Sequence, residues 1–128
     1  MSRPLANTLQ DILDAIDRVE SYINGKSFED LPRVPMLNDA IERCIERISE
    51  ASRNVSDDIK GDYPTVPWHD IATIGNRIRH GYFSVDPRII WDTATLDLPA
   101  LRQTILDIQR RHAAGGGKAE NGNEAGKP

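Results

Sequence analysis

Apolar residues recur at spacings of three and four along most of this chain, the period of helices with one buried face. Over residues 5–24 the stripe is Leu5, Leu9, Ile12, Leu13, Ile16, Val19 and Ile23, with Asp11, Asp14, Asp17 and Glu20 between its members. Gly25 follows, where a helix end favours a left-handed residue. Residues 26–35 carry Pro32 and Pro35 and read as a connection with at most a short turn, capped by Ser27 ahead of Glu29 and Asp30. A second helix is expected over residues 36–54, with Leu37, Ala40, Ile41, Cys44, Ile45, Ile48 and Ala51 facing inward. Gly61, Pro64 and Pro67 mark residues 56–67 as a loop. Trp68 opens a third helix that runs to about Tyr82. Pro87 suits the first turn of a short fourth helix over residues 88–94. Asp97 as N-cap and Pro99 as an early-turn residue predict a fifth, with Leu98, Leu101, Ile105 and Ile108 as its core face.

No strand-like alternation and no internal repeat interrupts this pattern. It predicts an all-α fold, an antiparallel up-and-down bundle of four to five helices. Leu9, Ile12, Ile16, Ile41, Ile45, Ile48, Ile71, Ile78, Leu101 and Ile105 are expected in the core.

The length, 128 residues, fits one domain. It is placed at residues 1–113, because residues 114–128 contain five glycines and no large apolar side chain and are expected to be disordered. No apolar run approaches the ~18–20 residues that cross a bilayer. Met1-Ser2-Arg3-Pro4 leads into mixed charge rather than a secretory signal, so no membrane association and a cytoplasmic location are expected. The single Cys44 cannot form an internal disulfide and reads as a small buried hydrophobe. A net charge of −4 argues against coating nucleic acid with the whole surface, so any RNA contact has to be focal.

The third helix carries the chemistry. Trp68, Ile71, Gly75, Ile78 and Tyr82 share its core side, whereas Thr73, Asn76, Arg77 and His80 share the opposite side. Arg79 flanks that group, and Arg88 is expected near it after the turn. An imidazole can take a proton from a ribose 2′-hydroxyl or give one to a leaving oxygen. A guanidinium can hold two phosphate oxygens and stabilise charge developing in the transition state. An amide can orient either partner. On spacing alone, an ordinary solvated helix face is the competing interpretation. His69 and His112 lack companions at metal-ligand spacing, Arg110 and Arg111 fit the end of a helix, and no phosphate loop, metal site or cofactor motif is visible.

Several ordered segments carry a resemblance. They are Tyr63-Pro64-Thr65-Val66-Pro67-Trp68, then Ile74-Gly75-Asn76-Arg77-Ile78-Arg79-His80-Gly81-Tyr82-Phe83-Ser84-Val85-Asp86, Ile90-Trp91-Asp92 and Asp97-Leu98-Pro99-Ala100-Leu101. With the opening helix and Ile48-Ser49-Glu50-Ala51, the chain resembles the HepT-like branch of the HEPN superfamily over about residues 5–110. The resemblance implies a HEPN bundle that dimerises and brings two active helices to one cleft. It implies a toxin of a toxin-antitoxin pair, a metal-independent endoribonuclease that uses the ribose 2′-hydroxyl as nucleophile. The implied partner, besides the RNA substrate and a second copy in a homodimer, is an MNT-type nucleotidyltransferase antitoxin. That enzyme can adenylylate the tyrosine two residues after the histidine, here Tyr82.

His80, Arg77 and Asn76 are then the catalytic candidates, Arg79 and Arg88 the RNA-binding ones. The family's arginine, four to six residues ahead of the histidine, is replaced by Gly75. Either Arg77 takes over its role, or the protein is a catalytically degenerate HEPN dimer that serves as a nucleotidyltransferase-binding module. A glycine on the buried stripe also suggests close approach of another helix.

Overall fold

The computed structural model describes residues 3–81 and 85–119, with side chains to residue 113. Among the described residues, seven α-helices and one π-helical turn follow in order. They are α1 (Leu5–Ile23), α2 (Asp30–Arg33), α3 (Pro35–Ser52), α4 (Asp57–Gly61), α5 (Trp68–His80), α6 (Pro87–Asp92), the π turn (Thr93–Asp97) and α7 (Leu98–Ala119). The fold is an all-α, HEPN-like helical bundle.

Its core is built by the stripes that the three-four spacing picks out. Leu9, Ile12, Ile16 and Val19 of α1 meet Ile41, Ile45 and Ile48 of α3, while Leu101, Ile105 and Ile108 of α7 close the layer, all buried. Ile71 and Ile78, expected in the core, are only partly covered, packing against its edge. The reason is topological: α5 rests chiefly on α3, and Gly75 is its one buried residue among those described.

Local chemistry explains the connections. Residues 56–67, expected as a loop, contain α4, whose first turn is capped by the Ser56 Oγ accepting from the Ile59 N–H at 3.3 Å. Ahead of α2 the expected Ser27 cap does not form: the bond runs the other way, the Asp30 Oδ2 accepting from the Ser27 N–H at 2.8 Å, and α2 has no side-chain cap.

The expected fourth and fifth helices are a single helical path joined by the π turn, in which the Leu98 N–H reaches back to the Thr93 carbonyl. Asp97 lies inside that turn and is not an N-cap. Pro99 has no N–H and would crowd the carbonyl four residues before it in a regular helix; a widened turn ahead of it relieves that clash. Thr93 Oγ1 donates to the Ile89 carbonyl at 2.7 Å, and Thr95 Oγ1 to the Trp91 carbonyl at 2.8 Å, both hydroxyls bonding back one turn along the path.

At the other end, α7 runs to Ala119; residues 120–128 of the expected tail lie outside the described residues. Arg110 and Arg111 are therefore not at the helix end. Arg110 pairs with Asp107 at 2.9 Å, and Arg111 donates to the Tyr63 hydroxyl at 3.0 Å. That hydroxyl donates to Asp107 Oδ2 at 2.6 Å, a clasp that ties the segment before α5 onto α7. Burial of the ring and its hydrogen bond to Asp107 push the Tyr63 phenol up, and the same bond holds the half-buried Asp107 carboxyl down.

Ile41 is fully buried at the meeting of the α1 and α3 stripes. Ile41→Ala should cost roughly 2–5 kcal/mol of unfolding free energy in urea titration, with the helical signal of the folded baseline preserved. A cost below ~1 kcal/mol would mean that this contact is not part of the core.

Candidate functional site

The site is organised by one close approach. Gly75 faces Ser49 of α3, and a β-carbon at residue 75 would overlap both Oγ and Cβ of Ser49. The glycine lets the two backbones approach, and polar bonds fix their register. Ser49 Oγ and Arg53 Nη2 both donate to the Ala72 carbonyl, each at 3.1 Å. Ser49 is itself fully buried, and its carbonyl accepts from Ser52 Oγ at 2.7 Å. The helix that approaches Gly75 is thus α3 of the same chain.

With that side of α5 fixed, its other side chains fan outward. Gly81 adopts a left-handed conformation, φ 65°, and its N–H reaches the Arg77 carbonyl at 3.3 Å, so the helix stops on His80. Arg77, Arg79 and His80 form the basic last turn, where cations meet the negative end of the helix dipole. His80 and Arg77 are both exposed, and three residues apart in a helix they are neighbours on one surface. Arg77 holds no ion pair among the described residues.

The remaining candidates are distributed differently from the sequence expectation. Arg79 turns back toward α3: its Nη1 donates to Asn76 Oδ1 at 2.9 Å and its Nη2 to Glu50 Oε1 at 3.3 Å. Asn76 is therefore an anchor for Arg79. Arg88 is engaged elsewhere, its guanidinium 3.8 Å from the centre of the Phe28 ring and 3.8 Å from Asp92. Tyr82 lies outside the described residues.

Two grooves flank α5. Arg77, Ile71 and Ile74 line an apolar one of about 330 Å³ together with Ile89, the π turn and the start of α7. Asp70 and Asp97 also line it. Burial first, then Asp92 and Asp70, push the Asp97 carboxyl up. Arg79 lines the other groove, about 580 Å³, between α1 and α3.

Sequence reasoning gave no site role to Ser49, Glu50 or Arg53, although Ser49 and Glu50 lie in a segment that carries the resemblance. The available signal was small-on-small pairing: Ser49 and Ser52 continue the stripe of Ile45 and Ile48, opposite a helix that carries a lone Gly75. Among the described residues, no three His, Cys, Asp or Glu side chains gather as a metal site, and no helix is long and apolar enough to cross a membrane.

Comparison with known proteins matches this chain to the family described as ribonuclease HepT-like, over residues 12–108. The chain belongs to the HepT-like ribonuclease family. A protein of Thermococcus cleftensis named "Probable ribonuclease HepT" is 35% identical over 102 residues, covering 80% of this chain and 93% of the relative. One from Caldanaerobacter subterraneus subsp. tengcongensis, named as a candidate RNase, is 33% identical over 103 residues, 80% of this chain and 92% of its own. A similarly named protein of Methanocaldococcus jannaschii is 29% identical over 106 residues, 83% and 88% of the two chains. No solved structure matches significantly. At the level of the family, the chain is an RNase-like enzyme by resemblance.

In this HepT-like chain, Gly75→Ala should destabilise despite ~1 kcal/mol of better helix propensity, because overpacking typically costs about 1–3 kcal/mol. Ser49→Gly should destabilise alone but partly rescue Gly75→Ala, giving a coupling of about 1 kcal/mol or more in a double-mutant cycle. Strict additivity in chemical denaturation would show that the two residues do not touch.

Proposed function

We propose that this protein is a HepT-like toxin, a metal-independent endoribonuclease neutralised by an MNT-type nucleotidyltransferase. The observation that carries the reading is Arg77 beside His80 on the exposed last turn of α5, held there by the Ser49–Gly75 contact. In this reaction the ribose 2′-oxygen bonds to the adjacent phosphorus while its proton passes to a base. The bond from phosphorus to the 5′-oxygen breaks, and that oxygen takes up a proton, leaving a 2′,3′-cyclic phosphate and a 5′-hydroxyl. His80 moves the proton. Arg77 stabilises the charge that grows on the non-bridging oxygens. Asn76 acts through Arg79, which it holds at 2.9 Å, so Arg79 is the better-supported RNA contact than the stacked Arg88.

Support for a homodimer comes from the apolar groove. Ile89 is 38% exposed there, and α5 has one side on α3 and the other open. A second copy seated along that side would cover Ile71 and Ile74 and bring two Arg77–His80 pairs to one cleft. Tyr82, two residues beyond His80, is the proposed site of adenylylation by the partner enzyme.

One observation favours a second reading. Where the family's arginine is expected, Gly75 is packed against Ser49, so a side chain grafted there could not be accommodated without moving α3. If Arg77 does not replace that arginine, the protein is a degenerate HEPN dimer that binds the nucleotidyltransferase and cleaves nothing. For the same reason Gly75→Arg is not a clean restoration of activity.

The deciding experiment incubates purified protein with structured and single-stranded RNA in EDTA. Wild type should cut, His80→Ala should lose about 10²–10⁴-fold in rate, and Arg77→Ala a comparable factor. Arg77→Lys should recover little, since an ammonium lacks the planar fork. Absence of cleavage by wild type on every RNA tried would replace the enzyme reading with the docking module.

Partner and assembly are checked with the same preparation. Sedimentation at micromolar concentration should find a dimer; monomer alone would remove the two-chain cleft. Mass spectrometry after incubation with the nucleotidyltransferase and ATP should place any adenylyl group on Tyr82. Modification of Tyr22 or Tyr63 instead would overturn that assignment.

A further inference from the structure

The groove between α1 and α3 is lined by Arg3, Arg18, Arg43, Arg47 and Arg79 and by the carboxylates of Asp11, Asp14, Glu46 and Glu50. Its remaining wall includes the small side chains of Thr8, Ala15 and Ala51, which leave it open. The charges do not cancel evenly. Arg3 pairs with Asp11 at 3.0 Å, Arg43 with Glu46 at 3.8 Å and Arg79 with Glu50 at 3.3 Å. Asp14 accepts from Gln10 Nε2 at 2.8 Å. Three of the four carboxylates are ion-paired and Asp14 is held by a neutral amide, whereas Arg18 and Arg47 hold no ion pair among the described residues, two free guanidiniums against one free carboxylate.

Those two arginines come from α1 and α3, which pack against each other, and line the same groove. Both, together with Arg43, act electrostatically on Cys44, whose thiol is pushed up by burial and pulled back by Arg18, Arg47 and Arg43 in that order. Arg47 also stands three residues before Glu50, the partner of Arg79, which is about 4.5 Å along α3. The groove thus leads from Arg79, the neighbour of His80 in sequence, to a trio of arginines of which two are uncommitted.

We propose that this groove holds the phosphodiester backbone of the RNA strand beyond the bond that is cut, with Arg18 and Arg47 as its phosphate-binding residues. The inference rests on the reading of the protein as an RNA-cleaving enzyme and extends it to a second, non-catalytic contact. It also fits the charge of the chain: a protein with net charge −4 needs local guanidinium sites to hold a polyanion.

The test uses the full chain and a fluorescently labelled, fully 2′-O-methylated single-stranded RNA, which lacks the nucleophile and cannot be cut. Anisotropy titrations at several salt concentrations compare wild type with Arg18→Gln/Arg47→Gln. The double variant should bind about tenfold more weakly at low salt, and the slope of log affinity against log salt should fall by roughly 0.7 for each phosphate that is no longer neutralised. Arg33→Gln, an exposed arginine of α2 outside the groove, should bind like wild type. Matching circular dichroism and melting curves show that the fold is intact.

Equal affinity and slope for wild type and the double variant would overturn the proposal, as would failure of wild type to bind the RNA. Tripolyphosphate that binds at these arginines without displacing RNA would identify a site for free anions and overturn the strand path too. Cleavage of unmodified RNA by wild type against His80→Ala reports separately. Cleavage that needs His80, with binding unaffected in the double variant, keeps the enzyme and removes the groove. Weakened binding in the double variant, with no cleavage by any protein, does the reverse.

Discussion

The contact on which the site depends is the one between Ser49 and Gly75. Two helices can come this close only if one offers no side chain and the other a small one, and a hydroxyl on the small residue can then reach the facing backbone. Ser49 does so at the Ala72 carbonyl, and Arg53 reaches the same oxygen from the next turn. The azimuth of α5 follows from that anchoring. Arg79 is brought within reach of Glu50, Arg77 faces the apolar groove, and His80 ends the helix at the left-handed Gly81. None of these three placements needs a strong interaction of its own, which matters because exposed ion pairs are individually worth little.

Much of the fold was legible because burial and helical period coincide. The stripes of α1, α3 and α7 are buried as their spacing implies, and the third helix ends within two residues of its expected limit. Errors arose where a residue answers to something other than period. Ile71 and Ile78 lie on the apolar side of α5, yet that side extends beyond the width of α3, so they are only partly covered. Pro99 and Asp97 look like a helix start, and the chain uses both inside a continuous helical path. Proline at an early turn and proline after a widened turn satisfy the same rule about a missing donor, and local sequence does not distinguish them.

For the candidate site, the sequence groups residues on one helix but does not give their geometry. Asn76, Arg77, Arg79 and His80 are close in sequence, and a helical wheel groups them. A wheel carries no information on acceptors from another helix, so the pull of Glu50 on Arg79 could not be read. Arg88 shows the same limit, because its stacking on Phe28 joins residues sixty positions apart. The family match supplies the chemical class, and the packing shows which guanidiniums are already engaged within the chain.

The π turn has a different kind of consequence. Ile90, Ala94, Leu98, Leu101, Ile105 and Ile108 are all buried along one continuous path, with two successive spacings of four before the three-four alternation resumes. In a regular helix at ~100° per residue, two steps of four would carry the stripe well off its face. The π turn absorbs that drift by holding one residue more than an α turn does. A step of seven instead of eight from Ile90 to Leu98 would keep the stripe aligned in an unbroken α-helix. The chain therefore contains a surplus residue that the core does not need, next to Thr93 and Asp97 on the groove beside Arg77. Here the length of the polypeptide can change by one while the interior stays in register, which lets the rim of the groove evolve independently of the bundle beneath it.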